Sequence, residues 1–264
     1  MAKKRIQNLL KHVVCILLCL CVVLPFYMVL INSFKTKAEA ARMSLALPTE
    51  WVFSNYSEVI EKGSLIQGFL NSFAYALIAT TLGVVLCSMA AFVMCRKRTK
   101  LNVFLYYFVL CGLFFPVNYV TLVRVLSTLH LNDTRVGIIM VFTSAMIPFC
   151  VFTIRNFVIS VPVELDEAAV IDGCTPVQTY FQVVLPMMKP TFISVGVLEI
   201  MWVWNDYLLP YLVLDINEFR TIPIHIQYLK GSYGSVDMGA TMALILMSIV
   251  PVVIFYLCCQ KYII

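Results

Sequence analysis

Long apolar runs are the feature that most constrains the fold of this chain. Six are present, at residues 12–31, 67–95, 101–123, 136–156, 190–213 and 238–260. An α-helix needs about 20 mostly apolar residues to cross the hydrocarbon core of a bilayer. Each run is long enough, and the extra length of some runs allows for tilt. The sequence therefore predicts an all-α membrane protein with six transmembrane helices.

The composition agrees with a membrane location and with a single domain. Mean hydropathy is +0.92 and 12% of residues are charged, compared with about 25% in soluble domains. No Gly/Ser-rich linker, repeat or low-complexity tract interrupts the sequence, so residues 1–264 are predicted to form one domain. The first run is too long for a signal-peptide core and has no small-residue cleavage site after it, which favours a retained anchor over a cleaved signal.

Lysine and arginine in the short loops indicate the orientation, because such residues are enriched on the cytoplasmic side. Two acid-free basic clusters lie on the same side of the predicted spans: Lys3, Lys4, Arg5 and Lys11, and Arg96, Lys97, Arg98 and Lys100. Both termini and residues 157–189 are therefore predicted to be cytoplasmic. These flanks also account for the net charge of +5 without a nucleic-acid partner.

Catalytic and metal-binding motifs are not found in the sequence. There is no phosphate-binding G-x-x-x-x-G-K loop and no recognisable pairing of a nucleophile with a base. Most of the ten cysteines lie in apolar runs, and none has the spacing of a CxxC pair or a zinc site. We expect no metal site and no disulfide framework, and we expect the chain by itself not to be an enzyme.

The cytoplasmic stretch ELDEAAVIDG, residues 164–173, has the pattern of a short helix. Pro162 suits its first turn. Carboxylates, which are favoured near the positive end of the helix dipole, fill that turn at Glu164, Asp166 and Glu167. Two small residues, Ala168 and Ala169, would let another surface come close to the backbone. Asp172 and Gly173 should end the helix, since glycine readily takes a positive φ.

A second helix is predicted to follow at once. Thr175 is a good N-cap, Pro176 suits the first helical position, and Gln178 completes a capping box. Apolar residues recur at helical spacing and predict one apolar stripe; they are Val177, Tyr180, Phe181, Val184 and Leu185. Pro186 should end this stripe, and Pro190 opens the next apolar run.

Two functions fit such a helix pair. It could be an interfacial connector between two spans, or a docking surface for another protein. A helix that rests on lipid is typically rich in Lys and Arg on its polar face, whereas this one is acidic. The acidic residues beside small residues favour docking to a basic protein cleft.

The loop resembles the EAA loop of the permeases of ABC importers. In that family and in this chain, Glu-Ala-Ala is followed after three residues by Gly, and after nine more by an aliphatic residue, any residue, Leu and Pro. Here these elements are Glu167-Ala168-Ala169, Gly173, Val183 and Leu185-Pro186. The family usually has Ile where this chain has Val183.

The resemblance covers nearly all of the chain and narrows to carbohydrate-uptake permeases of the maltose-transporter type. LPTEWVFSNYSEVI at 47–60 is similar to their first outer loop, and WNDYLLP at 204–210 to their fifth helix. It implies the type I ABC importer fold, with an EAA loop at about 160–189, in the bacterial cytoplasmic membrane.

The resemblance also implies partners and roles. Such a permease pairs with a second homologous permease, two ABC ATPase subunits and an extracytoplasmic solute-binding protein, and forms half of the path for a sugar or oligosaccharide. ATP and Mg²⁺ bind to the ATPase, and no cofactor is implied for this chain. The residues implied for coupling to the ATPase are Glu164, Glu167, Ala168, Ala169, Asp172, Gly173, Phe181 and Pro186.

Polar residues inside the predicted fifth span mark a candidate transport path. Glu199, Trp202 and Asp206 fall on one helical face. Counting from Pro190, Glu199 lies about 14 Å along a core about 30 Å thick, where a lipid-facing carboxyl costs at least about 2.5 kcal/mol. Aromatic rings beside hydrogen-bonding groups suit sugars. The candidate path residues are Glu199, Trp202, Trp204, Asn205, Asp206, Asn71 and Asn118.

Other readings of these residues stay open. Trp residues also favour membrane interfaces, Glu199 could simply join helices, and polar residues such as Asn71 often serve helix packing. The alternative function is a secondary transporter in which Glu199 couples to a proton or an ion. Such proteins usually have broken helices and inverted repeats, and no repeat is found. A scaffold or receptor without transport would leave Glu199 unexplained.

Overall fold

The computed structural model of the protein describes residues 2–62, 65–215, 218–231 and 237–262. Every regular element in these ranges is a helix, which confirms the all-α class. In chain order the helices are α1 (Ala2–Asn32), α2 (Lys37–Ala40), α3 (Ser54–Lys62), α4 (Leu65–Arg96), α5 (Lys100–Cys111), α6 (Tyr119–Thr128), α7 (Arg135–Ser160), α8 (Glu164–Ile171), α9 (Pro176–Met187), α10 (Lys189–Asn205), α11 (Leu208–Val213), α12 (Ile222–Gly231) and α13 (Met238–Cys259).

Four of the described helices are long and apolar enough to cross a membrane: α1 from Leu10 to Asn32, α4, α7 and α13. They correspond to the spans predicted at 12–31, 67–95, 136–156 and 238–260. A fifth span is added if α9 and α10, which are bent by 73° at Met188, count as one. The structure thus describes a multi-pass membrane protein, and the count of six spans stays a prediction.

The third predicted span is not one helix, so the prediction of a continuous helix over 101–123 is wrong. α5 ends at Cys111 and α6 begins at Tyr119. Pro116 lies between them and cannot continue a helix, because it lacks an N–H and its ring clashes with the preceding turn. Asn118 then starts α6, where its side-chain oxygen accepts a 3.1 Å hydrogen bond from the Thr121 N–H.

The fifth predicted span, 190–213, is also interrupted. α10 ends at Asn205 and α11 begins at Leu208. The Asp206 carboxylate accepts a 2.9 Å hydrogen bond from the Leu208 N–H and a 3.5 Å bond from the Leu209 N–H. It therefore satisfies donors at the start of α11, as an N-cap does, and so separates the two helices.

Contacts divide the chain into two compact units, of which the first comprises Met1–Ile66 and His225–Pro251. Its small apolar core consists of Val59, Leu65, Ala240, Ala243 and Leu244. A basic residue that follows α1, Lys35, is fully buried in this unit. Its Nζ donates to Asn32 Oδ1 at 3.1 Å and to the Ser44 carbonyl at 2.8 Å. Lys35 therefore links the end of α1 to the segment at Ser44 through buried hydrogen bonds.

The second unit comprises Gln67–Ile224 and Val252–Ile264 and contains both candidate functional regions. Its core joins α4, α7, α10 and α11 through buried side chains that include Ala79, Cys87, Ala91, Ile138, Val151, Ile154, Val195 and Val213. Most of the buried core side chains from α4 are alanine or cysteine. Small residues let membrane helices approach closely, and α4 can therefore pack closely against its neighbours.

Candidate functional site

The first helix of the loop at 160–189, α8, begins at Glu164, two residues after Pro162. Its N-cap, Val163, makes no side-chain hydrogen bond. The first turn carries the three predicted carboxylates, Glu164, Asp166 and Glu167. Glu164 and Glu167 are exposed, where they interact favourably with the dipole of α8. They are therefore free to meet another protein.

Gly173 ends this helix in the predicted way. Its φ is +85°, a left-handed conformation that glycine adopts without strain. The Gly173 N–H donates to the Val170 carbonyl at 3.0 Å, and the Cys174 N–H donates to the Ala169 carbonyl at 2.9 Å. This pair of bonds is the Schellman motif, and it fixes the bend between α8 and α9. Asp172, the C-cap residue, is exposed at the same corner.

The two alanines of the loop do not form one open patch. Ala168 is exposed, but Ala169 is buried, with 5% of its surface accessible. The prediction that both let a partner approach is wrong for Ala169. On a helix, consecutive residues point about 100° apart, so Ala168 faces outward while Ala169 packs inward.

The start of α9 has the predicted capping box. The Gln178 N–H donates to Thr175 Oγ1 at 3.4 Å, and the Thr175 N–H donates to Gln178 Oε1 at 2.8 Å. A π-helical segment, Thr179–Val184, follows directly. A π-helix closes its hydrogen bonds over five residues and changes the register of the side chains. The direction of the side chains after Gln178 therefore differs from that in a regular α-helix.

The residues of the predicted apolar stripe of α9 differ in burial. Tyr180 and Val184 are buried, whereas Val177 and Phe181 are exposed. Phe181 has 46% of its surface accessible, and Pro186 is also exposed. The buried pair holds α9 in the second unit. Val177 and Phe181, like Glu167 and Asp172, are therefore available to a partner.

A second candidate region lies along α10. Glu199 is buried, with 5% of its surface accessible. It lines a cavity of about 310 Å³ together with Ala145, Met146, Phe149, Leu198 and Trp202. The Cys150 thiol lies 3.7 Å from Glu199 Oε1. The carboxyl group thus faces protein and a cavity, as predicted for a carboxyl at membrane depth.

A second cavity, of about 460 Å³, continues along the same helix. It is lined by Leu198, Met201, Trp202, Asn205 and Asp206. Leu198 and Trp202 line both cavities. The structure therefore brings four of the predicted path residues, Glu199, Trp202, Asn205 and Asp206, to two cavities that share part of their lining, together called the α10 groove.

Three predicted path residues lie elsewhere and have local structural roles. Trp204 is buried and packs edge-on against Phe69, with ring centroids 5.4 Å apart. Asn71 donates a 3.1 Å hydrogen bond to the Arg220 carbonyl, and Asn118 caps α6. Trp204 differs from Trp202 because residues two apart point to nearly opposite sides of a helix.

The contacts between the loop at 160–189 and α4 were not predicted. Arg96 at the end of α4 forms an ion pair with Asp166 and donates a 3.1 Å hydrogen bond to the Val161 carbonyl. The Tyr180 hydroxyl lies 2.6 Å from Ser88 Oγ. From the sequence, Arg96 is accounted for by the enrichment of Lys and Arg in cytoplasmic loops. No local pattern pairs it with Asp166, which lies 70 positions later.

Metal ligands are not clustered in the described part of the chain. Across these residues, the structure brings together no group of three or more His, Cys, Asp or Glu side chains that could hold a metal ion.

The chemistry of the groove is that of a carboxyl, an amide and an indole ring. Such a surface can bind a polyhydroxylated molecule by hydrogen bonding and ring contact.

Comparison with known proteins gives a family and a fold. Residues 1–263 match the family described as "Binding-protein-dependent transport system inner membrane component". The chain is 34% identical over 263 residues to a "Probable starch degradation products transport system permease protein" of Thermoanaerobacterium thermosulfurigenes, covering 99% of this chain and 95% of that protein. It is 32% identical over 255 residues to a "Diacetylchitobiose uptake system permease protein" of Streptomyces coelicolor, covering 96% and 84%.

A solved structure has the same fold. It is a bacterial ABC transporter involved in the import of the acidic polysaccharide alginate, and one of its chains superimposes with a TM-score of 0.89 at 22% identity. The match covers 100% of this chain and 99% of that chain. This likeness confirms the predicted type I ABC importer fold.

Proposed function

The chain belongs to the family of binding-protein-dependent transport system inner membrane components, and on that premise we propose that it conducts a sugar or an oligosaccharide through an ATP-driven ABC importer. It is a transport component and not an enzyme. The observation that carries the choice of substrate is the groove on α10. There Trp202 lines both cavities, one together with Glu199 and the other together with Asn205 and Asp206.

The chemistry of this groove suits a sugar. The C–H face of a sugar ring packs on an aromatic ring, while its hydroxyl groups exchange hydrogen bonds with carboxyl and amide groups. Trp202 has 44% of its surface accessible, so a ligand can reach its ring. The relatives named for starch degradation products and for diacetylchitobiose support the same substrate class.

The transporter would contain three further kinds of subunit. We propose a second, homologous permease that supplies the other half of the path, two ABC ATPase subunits that bind ATP and Mg²⁺, and an extracytoplasmic solute-binding protein. Both termini of the chain would lie in the cytoplasm. The coupling surface offered to the ATPase comprises Glu164, Glu167, Ala168, Asp172, Gly173, Phe181 and Pro186.

ATP-driven import is favoured over secondary transport through Glu199, because the chain belongs to the binding-protein-dependent transport family. A reconstitution experiment tests the choice. In proteoliposomes that contain all subunits, uptake of maltotriose or diacetylchitobiose should require ATP and should persist when a proton gradient is collapsed. Glu199→Gln should keep this ATP dependence. Uptake driven by a proton gradient without ATP would contradict the proposal.

A matched pair of tryptophan variants tests the groove. Trp202→Ala should lower ATP-driven uptake about three- to tenfold, because contact with an aromatic ring contributes about 0.5–1.5 kcal/mol. Trp204→Ala should instead destabilise the fold by about 3 kcal/mol, because it empties a buried site. The measurements are the uptake rate and the thermal midpoint of each purified complex. Equal effects of the two variants on uptake per folded complex would count against the groove as the path.

A further inference from the structure

One face of α4 is directed at the cytoplasmic loop. Ser88, Phe92 and Arg96 follow one another at intervals of four residues, so they form a row along one side of the helix. Each of the three contacts the loop: Ser88 and Phe92 meet Tyr180, and Arg96 meets Asp166. The row therefore engages both helices of the loop at once.

The first two residues of the row, Ser88 and Phe92, make a buried contact with Tyr180. The Ser88 hydroxyl donates to the Val85 carbonyl at 2.7 Å, so its oxygen is left to accept the 2.6 Å hydrogen bond from the Tyr180 hydroxyl. The rings of Phe92 and Tyr180 have centroids 5.3 Å apart. Ser88 is fully buried and Tyr180 almost so. A buried hydrogen bond of this kind leaves an unsatisfied group when one partner is removed.

At the C-terminal end of the row, Arg96 holds the start of α8. The Arg96 guanidinium forms an ion pair with Asp166 in the first turn and donates to the Val161 carbonyl just before that turn. The side chains of Arg96 and Asp166 are only 14% and 15% accessible. By contrast, the neighbouring Lys97 and Arg98 are exposed. Arg96 thus has a structural partner in the loop, while its neighbours provide the positive charge of the cytoplasmic side.

The outer end of the same helix is held as well. Asn71 donates to the Arg220 carbonyl at 3.1 Å, and Ser72 Oγ accepts a 3.0 Å hydrogen bond from the Ile222 N–H. Ser72 and Arg96 are separated by 24 positions, or about 36 Å along a continuous helix. A displacement of the cytoplasmic end would therefore be carried to the segment at 220–222.

We propose that Arg96 and Asp166, supported by the Ser88–Tyr180 hydrogen bond, are the positioning residues that link the cytoplasmic loop to α4, so that a movement of the loop moves this helix. The inference rests on the proposed function, in which the ATPase drives the loop. It assigns α4 as the element that receives the movement. Glu167 and Asp172 face outward and are the side chains available to the ATPase, whereas Asp166 faces α4.

The test is a double-mutant cycle in the complete reconstituted transporter. Arg96→Gln and Asp166→Asn should each raise the number of ATP molecules hydrolysed per sugar taken up by about tenfold, as expected when one member of a largely buried pair is removed. The double variant should have the effect of one single variant, because residues that act as a pair are not additive. Lys97→Gln, which removes a neighbouring exposed charge, should keep the wild-type ratio.

Tyr180→Phe gives a second measurement that does not disturb the ion pair. It removes only the hydroxyl that binds Ser88, and it should raise the same ratio about threefold. Wild-type ratios in all three single variants, or independent multiplication of the Arg96 and Asp166 effects, would overturn the proposed link. If the wild-type transporter itself does not couple ATP hydrolysis to sugar uptake, the proposed function fails instead. The two failures are therefore distinguishable.

Discussion

Replacing Glu167 with lysine is expected to reduce sugar uptake at least tenfold. Like charges brought together at an interface cost several kcal/mol, and a tenfold change in an equilibrium corresponds to about 1.4 kcal/mol. Glu167 is exposed in the first turn of α8. A lysine there would meet a basic cleft with the same charge and would also oppose the helix dipole. ATP hydrolysis by the transporter should continue without proportionate uptake. The measurement is sugar uptake and ATP hydrolysis on the same proteoliposomes.

Two controls separate docking from folding. Glu167→Gln keeps the size of the side chain and removes only its charge, so uptake should fall less than in Glu167→Lys. Lys100→Glu reverses a charge at the exposed start of α5, where an acidic residue suits the helix, and uptake should stay at the wild-type level. Normal coupling in Glu167→Lys would count heavily against a docking role for the loop.

The second large effect is expected at Gly137, in the first turn of α7. A Cβ atom at this position would overlap the Leu131 carbonyl oxygen and would lie 3.0 Å from Thr134 Oγ1. Thr134 is the N-cap of the helix and accepts a 2.9 Å hydrogen bond from the Gly137 N–H. Gly137→Val should therefore combine overpacking with a lost cap, together about 2–4 kcal/mol. Most of the protein should fail to fold.

The measurement for Gly137→Val is the yield of monodisperse protein in detergent, which should fall about tenfold, since 1.4 kcal/mol is already tenfold in an equilibrium. Gly196→Ala is the matched control in another helix, α10. A Cβ there has Thr80 Cγ2 at 3.9 Å as its nearest neighbour, which is ordinary contact. If both variants give wild-type yields, Gly137 does not lie as close to the Leu131 carbonyl as described, and the prediction fails.

Features that depend on neighbouring residues could be predicted from the sequence. The capping box of Thr175 and Gln178 and the positive φ of Gly173 each need only a few consecutive residues, and the structure has both. The spans of α1, α4, α7 and α13 follow from long apolar runs, because a helix in lipid must satisfy its own backbone hydrogen bonds. Residue spacing also predicted correctly that Glu199 and Trp202 share one face.

Features that depend on distant residues could not be predicted in this way. The pairing of Arg96 with Asp166 joins two helices, and a basic residue after a span is already explained by the inside-positive charge. The burial of Ala169 depends on what packs over it. The π-helical segment at 179–184 is not indicated by any local pattern in the sequence, and the burial of Tyr180 and Val184 likewise depends on what packs over them.

One error could have been avoided. The interruption of the third predicted span carries local signals, since Pro116 is disfavoured inside a helix and Asn118 is a favoured N-cap. The prediction of one helix over 101–123 rests on apolar character alone and does not take these signals into account. Apolar length shows that a segment suits a membrane, but it does not show that the segment is a single helix.

The central claim is that this chain is the permease of an ATP-driven importer. The most direct test is to purify the tagged chain in mild detergent from its own cells and to identify the proteins that accompany it. We expect an ABC ATPase and a second, homologous permease in stoichiometric amounts, with ATP hydrolysis in the purified material. A chain that purifies alone, stable and without ATPase activity, would contradict the account and would reduce the loop at 160–189 to a connector between two spans.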